Sequence, residues 1–351
     1  MAERTPRGTL IACVAIIALG AAVRFFLAWT APPSMDLKAY GVVAGLLRQG
    51  GRLYEGTRDY NYAPVWSWVV AGLDRASRAT GLSFFGLARS LLSAVDLALA
   101  AVVFLLARRM RAGRPWRAAA LVVANPLLVW SSSVQGQFDN LSVLFLLAAL
   151  LAATTWRAAP LLFLSVAVKQ VTAVHPILWL KSRADVLPVA AAYAAVAALF
   201  FPYVGQARAI RDHVLFYRAV PRSYGFSEFV LYDARFALPV ALVALLAAGG
   251  AAWRLRFHEP VRACLFVFLV LLFFAPGLSP NYFVWPLALG AFFGGAGYVL
   301  TTASALAWTL GWHYYSLLGT SQFMGHLVWL SVAFWGVREL RLFAARPAAP
   351  P

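Results

Sequence analysis

The chain has 351 residues, 62% of them hydrophobic, with a mean hydropathy of +0.74 and a formal net charge of +17. Soluble domains run at about 45–50% apolar, so the composition excludes an ordinary soluble globular protein. The charge does not point to nucleic acid either. The 27 arginines, against three lysines, fall mainly in short connections between apolar runs, where the positive-inside rule places them.

Period-2 alternation is absent, so the apolar runs are predicted as helices rather than barrel strands. The first, residues 9–29, follows Arg4 and Arg7 and is predicted to leave the cytoplasm. It is long for a signal-peptide core, and Pro32-Pro33 is a poor cleavage context. Residues 108–117 carry five arginines and no acid, which marks a cytoplasmic connection. An odd number of crossings must therefore separate them from the outer loop, and of the two apolar runs between, only residues 84–107 are long enough to span, so the outer loop runs over 30–83. The run at 63–73 is too short to span; with Trp66 and Trp68 it is predicted to lie at the interface, as is the amphipathic stretch from Asp36 to Arg48.

Residues 117–133 and 138–155 are the next two spans. Residues 159–180 are flanked by Arg157 on one side and by Lys181 and Arg183 on the other, so both flanks read as cytoplasmic. Two short half-helices with Lys169-Gln170 at the apex satisfy that condition, and broken backbone at depth needs a cavity or protein around it. Spans at 186–204, 234–253, 260–276, 282–297, 298–315 and 322–342 follow, with a second outer loop at 205–233.

The reading is an all-α polytopic membrane protein: a single domain over 1–351, about ten transmembrane helices, a broken-helix hairpin, and interfacial helices in the first outer loop. Inner connections then hold 16 of the 30 Lys and Arg residues but only four of the 13 acids (Glu3, Asp185, Glu259, Glu339). A multi-pass protein of the inner (plasma) membrane is expected, with its polar constellations on the extracytoplasmic face.

Five constellations carry residues suited to chemistry. Asp36 follows the first span; a carboxylate against apolar surface gains proton affinity and suits a general base. The same spacing fits a helix cap made by Ser34 or Asp36. Gln137, Asp139 and Asn140 occupy the turn between two spans and suit sugar hydroxyls, or else form a polar turn that caps the next helix. Lys169, with Gln170 and His175 nearby, sits among apolar residues and requires an anion, a structural acid such as Asp96, or a path to the interface. A phosphate is a natural partner for its point charge. In the second loop, Arg222 and Tyr224 mix basic and aromatic character suited to a phosphate head group, or to anionic lipid. Asn281 and Tyr282 lie in a Pro-rich turn with Trp285. Arg24 and Asp96 are ionisable residues within spans and either pair or face a cavity. The histidines have no zinc spacing, and no Walker, Rossmann or nucleophile-elbow motif occurs.

The ordered set Asp36, Tyr62-Ala63-Pro64, Gly136-Gln137-x-Asp139, Lys169-Gln170 and Pro280-x-Tyr282 with Trp285 resembles the GT-C superfamily of integral-membrane glycosyltransferases, nearest to polyprenyl-phosphate-sugar dependent mannosyltransferases. The resemblance implies inverting transfer of a hexose, mannose first, from a polyprenyl-phosphate donor to a lipid-linked or cell-envelope acceptor. Asp36 would be the base, and Lys169 with Arg222 would neutralise the leaving phosphate. Tyr224, Tyr282, Asn281, Gln137, Asp139, Gln170 and His175 would line the donor and acceptor sites, without metal or other cofactor. The chain departs from that pattern at Tyr62-Ala63-Pro64, where relatives often carry Tyr-Pro-Pro, and in having one acid where some have a pair. The second departure leaves open whether another acid, such as Asp59 or Asp139, assists Asp36. The alternative reading is a transporter or flippase of a lipid-linked or polar substrate, since broken helices with polar residues at depth also suit that class.

Overall fold

The computed structural model describes residues 7–111, 114–215, 237–275, 279–311 and 318–345. Among them the chain is helical throughout and forms no strand. It packs as two compact units: Met1–Ala173 with Ala190–Tyr217, and Val174–Val189 with Arg218–Pro351.

Among the described residues two helices, α1 (Arg7–Thr30) and α4 (Phe84–Arg109), both in the first unit, are long and apolar enough to cross a membrane; counting each bent pair as one span raises that number to four at most. Between them lie α2 (Met35–Arg48) and α3 (Val65–Thr80), which pack on each other. The second is longer than the run at 63–73, because Arg75 and Arg78 continue the helix after the apolar residues end. Gly81, at φ 72°, closes it.

The run at 117–133 is one helix by hydropathy but two in the structure. α5 (Pro115–Ala124) stops at Asn125, whose side chain caps α6 (Pro126–Val129). Proline disfavours helical backbone at the residue before it, and the axis turns by 50° there. A π-turn, Trp130–Gln135, completes the segment.

α7 (Asp139–Leu151) and α8 (Thr155–Val168) then form a packed pair shorter than a full span. The predicted break does fall at Lys169, whose extended backbone (φ −151°, ψ 123°) ends α8. Beyond it the second half of the expected hairpin is a series of 3₁₀ turns, Gln170–Thr172 and His175–Trp179, rather than a half-helix. The division between the units falls within α9 (Val186–Ala198). After it, a 3₁₀ segment, Phe201–Gln206, leads to the short α10 (Ala207–Ile210).

In the second unit α11 (Ala237–Leu255), α12 (Pro260–Phe274), α14 (Ala296–Leu310) and α15 (Leu318–Ala345) are the main helices, and α12 packs against both α11 and α15. The predicted span 282–297 is not a helix of membrane length. A 3₁₀ turn leads into α13 (Val284–Gly290), which ends after seven residues at a turn with Gly294 and Gly295 both at positive φ.

The first unit is held by a buried polar network that crosses its helices. Arg24 on α1 donates through Nε to Asp96 on α4 at 3.1 Å, and both side chains are fully buried. Asp96 also accepts from Ser132 Oγ at 2.9 Å and from Asn140 Nδ2 at 2.6 Å. Arg24 spends its remaining donors on the carbonyls of Val123, Val122 and Gly20. A buried charge requires this degree of pairing, and removing one member of such a pair costs about 3–5 kcal/mol. The network answers one question left open by the sequence: Arg24 and Asp96 pair with each other, so Asp96 is not the partner of Lys169.

Candidate functional site

Asp36 is the second residue of α2, and it does not cap the helix. Ser34 does, accepting from the Leu37 N–H at 3.2 Å while its own hydroxyl donates to the Gln135 carbonyl. The Asp36 carboxylate is therefore released for other contacts. Burial raises its pKa above the ordinary carboxylate value. A hydrogen bond from Gln137 and the charge of Lys169 oppose that rise, and the charge of Asp139 adds to it.

These groups meet because of a glycine. Gly136 sits at φ 74°, a left-handed conformation that glycine adopts at no steric cost. A Cβ there would come within 2.6 Å of the Leu37 side chain. The turn is closed by the Gln137 N–H donating to the Ser131 carbonyl at 2.9 Å. Gln137 is thereby brought beside α2, and Asp139 begins α7.

Lys169 approaches from the end of α8. Its ammonium donates to Asp139 Oδ2 at 2.7 Å, with both side chains largely buried. It also lies over the rings of Phe138 and Tyr62, at 5.3 and 5.5 Å from their centroids, distances at which a cation gains from the ring face. Tyr62 belongs to the Tyr-Ala-Pro element, and its ring meets Phe138 edge-on at 4.7 Å. Phe138 in turn stacks on Trp66 at 4.2 Å. Gln170, more exposed, donates to the Asn61 carbonyl at 3.1 Å.

The break in α8 is fixed by hydroxyls. Ser142 Oγ donates to the Ser165 carbonyl at 2.9 Å and Ser165 Oγ contacts the Ser142 carbonyl at 2.8 Å. Ser165 Oγ also lies 2.9 Å from Thr172 Oγ1. This reciprocal clasp joins α7 to α8 one turn from Asp139 and Lys169. Neither Asp139 nor Asn140 caps α7; Asp139 takes the lysine and Asn140 serves Asp96.

Two contributors carried no sequence signal. Tyr40, one turn beyond Asp36, is buried, and its hydroxyl has no hydrogen-bond partner among the described residues. Its pKa is pushed well up by burial, with the charges of Asp36 and Asp139 contributing. Arg89, near the start of α4, is 2% exposed and donates to three carbonyls: Val134 at 2.9 Å, Ala31 at 2.6 Å, and Pro32. It ties the segment leading into α2 to the π-turn before Gly136, so it sets the distance between Asp36 and Gln137. A lone arginine at a helix start reads in sequence as an interfacial residue. Arg89→Met is expected to destabilise the protein by about 2 kcal/mol or more, since buried carbonyls left unpaired cost about 1–3 kcal/mol each. Thermal unfolding in detergent checks this, and an unchanged midpoint would remove Arg89 from the scaffold of the site.

The remaining candidates lie elsewhere in the chain. His175, Asn281 and Tyr282 belong to the second unit. His175 is fully buried, with Nε2 3.3 Å from the Cys264 carbonyl and its ring against Phe268. Tyr282 stacks on Trp285 at 4.6 Å, and Asn281 is buried beside it in the 3₁₀ turn. Arg222 and Tyr224 lie outside the described residues. Among the described residues no three His, Cys, Asp or Glu side chains cluster as a metal site would require.

No protein-family model matches this chain, and no curated protein matches it.

Proposed function

We propose that the chain is an integral-membrane glycosyltransferase that moves a hexose, mannose first, from a polyprenyl-phosphate donor to a hydroxyl of a lipid-linked or cell-envelope acceptor. The observation that carries this reading is the Asp36 carboxylate: uncapped, raised in proton affinity, hydrogen-bonded by Gln137 and next to a buried lysine. The reading also rests on the ordered motifs that resemble the GT-C superfamily. It includes the charge-based orientation of the first span, with Arg4 and Arg7 on the cytoplasmic side of α1, which would put α2 and α3 on the extracytoplasmic side.

In the proposed reaction Asp36 accepts the proton of the acceptor hydroxyl as that oxygen attacks the anomeric carbon. The bond from the anomeric carbon to the phosphate oxygen breaks on the opposite face, and the pair of electrons leaves with polyprenyl phosphate. The configuration inverts. Lys169 neutralises the phosphate as charge develops on it, exchanging its contact with Asp139 for one with the leaving group. Tyr40 places a buried hydroxyl, without a hydrogen-bond partner among the described residues, near the base, where it would donate to a sugar oxygen once the site is occupied.

The broken helix at Lys169 equally suits a carrier that moves a lipid-linked substrate. Proteoliposomes separate the two readings. With labelled polyprenyl-phosphate hexose and an acceptor lipid, the enzyme yields glycosylated acceptor of inverted configuration and free polyprenyl phosphate. Movement of the labelled lipid between leaflets, with no product formed, would establish the carrier instead.

A further inference from the structure

The last helix carries a feature that the proposed chemistry does not use. Along α15 the residues Phe323, Leu327, Leu330, Phe334, Val337 and Leu340 are all exposed. Their spacing of three and four keeps them on one side of the helix. The stripe runs straight into Arg338 and Arg341. Phe334, Val337, Arg338, Arg341 and Leu342 together line an open cavity of about 370 Å³, within the range of small-ligand sites.

The two arginines are not spent on acids. Glu339, between them in sequence, is 2% exposed and pairs with Arg262 of α12. Neither Arg338 nor Arg341 has an ion-pair partner among the described residues. Arg338 lies against the turn before α14. A Cβ on Gly295 would stand 2.7 Å from its Nη1, and Gly295 is at φ 87°, so the glycine admits the guanidinium at this spot.

An apolar stripe of acyl-chain length ends in a cavity walled by two guanidiniums that have no ion-pair partner among the described residues. We infer that this end of α15 binds an anionic glycerophospholipid, with its acyl chains along the stripe and its phosphodiester between Arg338 and Arg341. Guanidiniums recognise phosphate by paired N–H donors, and the apolar wall distinguishes a lipid from free phosphate. The inference rests on the chain being membrane-embedded and is independent of glycosyl transfer.

The test uses the full-length protein in nanodiscs of zwitterionic phosphatidylcholine doped with phosphatidylglycerol, with retained lipid counted by native mass spectrometry. The wild type is expected to retain phosphatidylglycerol over phosphatidylcholine by about tenfold or more, as two arginines at a lipid surface allow. Arg338→Gln with Arg341→Gln should abolish that preference. Both side chains are exposed, so the fold does not depend on them. A control pair, Arg157→Gln with Arg183→Gln, removes equal charge at two other exposed positions and should leave the preference intact. An undiminished preference in the first pair, or equal loss in both, would overturn the site. So would inorganic phosphate displacing the lipid at comparable concentration, which would make it a free-anion site.

Discussion

Asp36→Asn is expected to leave a folded, donor-binding protein whose transfer rate falls by about 10²–10⁴-fold, the usual contribution of a positioned base. Asparagine preserves the shape of the side chain but cannot take the proton. The same variant has a stability signature. Burial places the folded-state pKa of Asp36 above its unfolded value, so the ionised form opposes folding at neutral pH, and that cost is relieved as pH falls through the folded pKa toward the unfolded one. The unfolding midpoint of Asp36→Asn should therefore be no lower than that of wild type at neutral pH, with the wild type gaining on it as the pH drops through this window. Thermal unfolding across pH measures it. A variant that is markedly less stable at neutral pH would make Asp36 a structural residue.

The Lys169–Asp139 pair should give the largest stability effects at the site. Asp139→Asn leaves the ammonium buried without its counter-ion, and Lys169→Met leaves the carboxylate; each is expected to cost about 3–5 kcal/mol. The double variant Lys169→Met with Asp139→Leu should recover most of that loss, because paired apolar replacements leave no orphaned charge. Donor binding divides the partners differently. Removing the lysine should weaken donor affinity by about 10–100-fold, the worth of a hydrogen bond to a charged group, whereas Asp139→Asn should not weaken it. Chemical denaturation gives the first set of numbers and donor titration the second. Wild-type donor affinity in Lys169→Met would remove the lysine from the phosphate site.

Much of the site was legible in the sequence because its polar residues are conspicuous against apolar surroundings. Asp36, Gln137, Asp139 and Lys169 were each visible as polar groups whose position needed a reason, and they converge in the first unit. Their partners were not visible. Asp36 and Ser34 are both capping types two residues apart, and only the helix start decides between them. Lys169 had several acids to choose from, and Arg24 claims Asp96 through a contact 72 residues distant in sequence. Arg89 looks like any arginine at a membrane edge until its three carbonyls are seen.

The helical class followed from composition, but helix lengths did not. Hydropathy sums over a window and passes through Asn125-Pro126 and through Gly294-Gly295, where the backbone turns. Both were marked in the sequence by residues that break helices. The loss of helical geometry after Lys169 was readable in kind but not in form, since Pro176 alone does not distinguish a half-helix from 3₁₀ turns.

In the proposed reaction Asp36 acts as a carboxylate base whose proton affinity is set by burial and restrained by Gln137. The most direct measurement is the rate of hexose transfer from polyprenyl phosphate as a function of pH, in wild type and Gln137→Ala together. The wild-type rate should fall on the acid side along a limb lying above the ordinary carboxylate range, and loss of the Gln137 hydrogen bond should move that limb to still higher pH. A transfer rate that is flat through the acid range, or a limb that Gln137→Ala leaves in place, would contradict that role for Asp36.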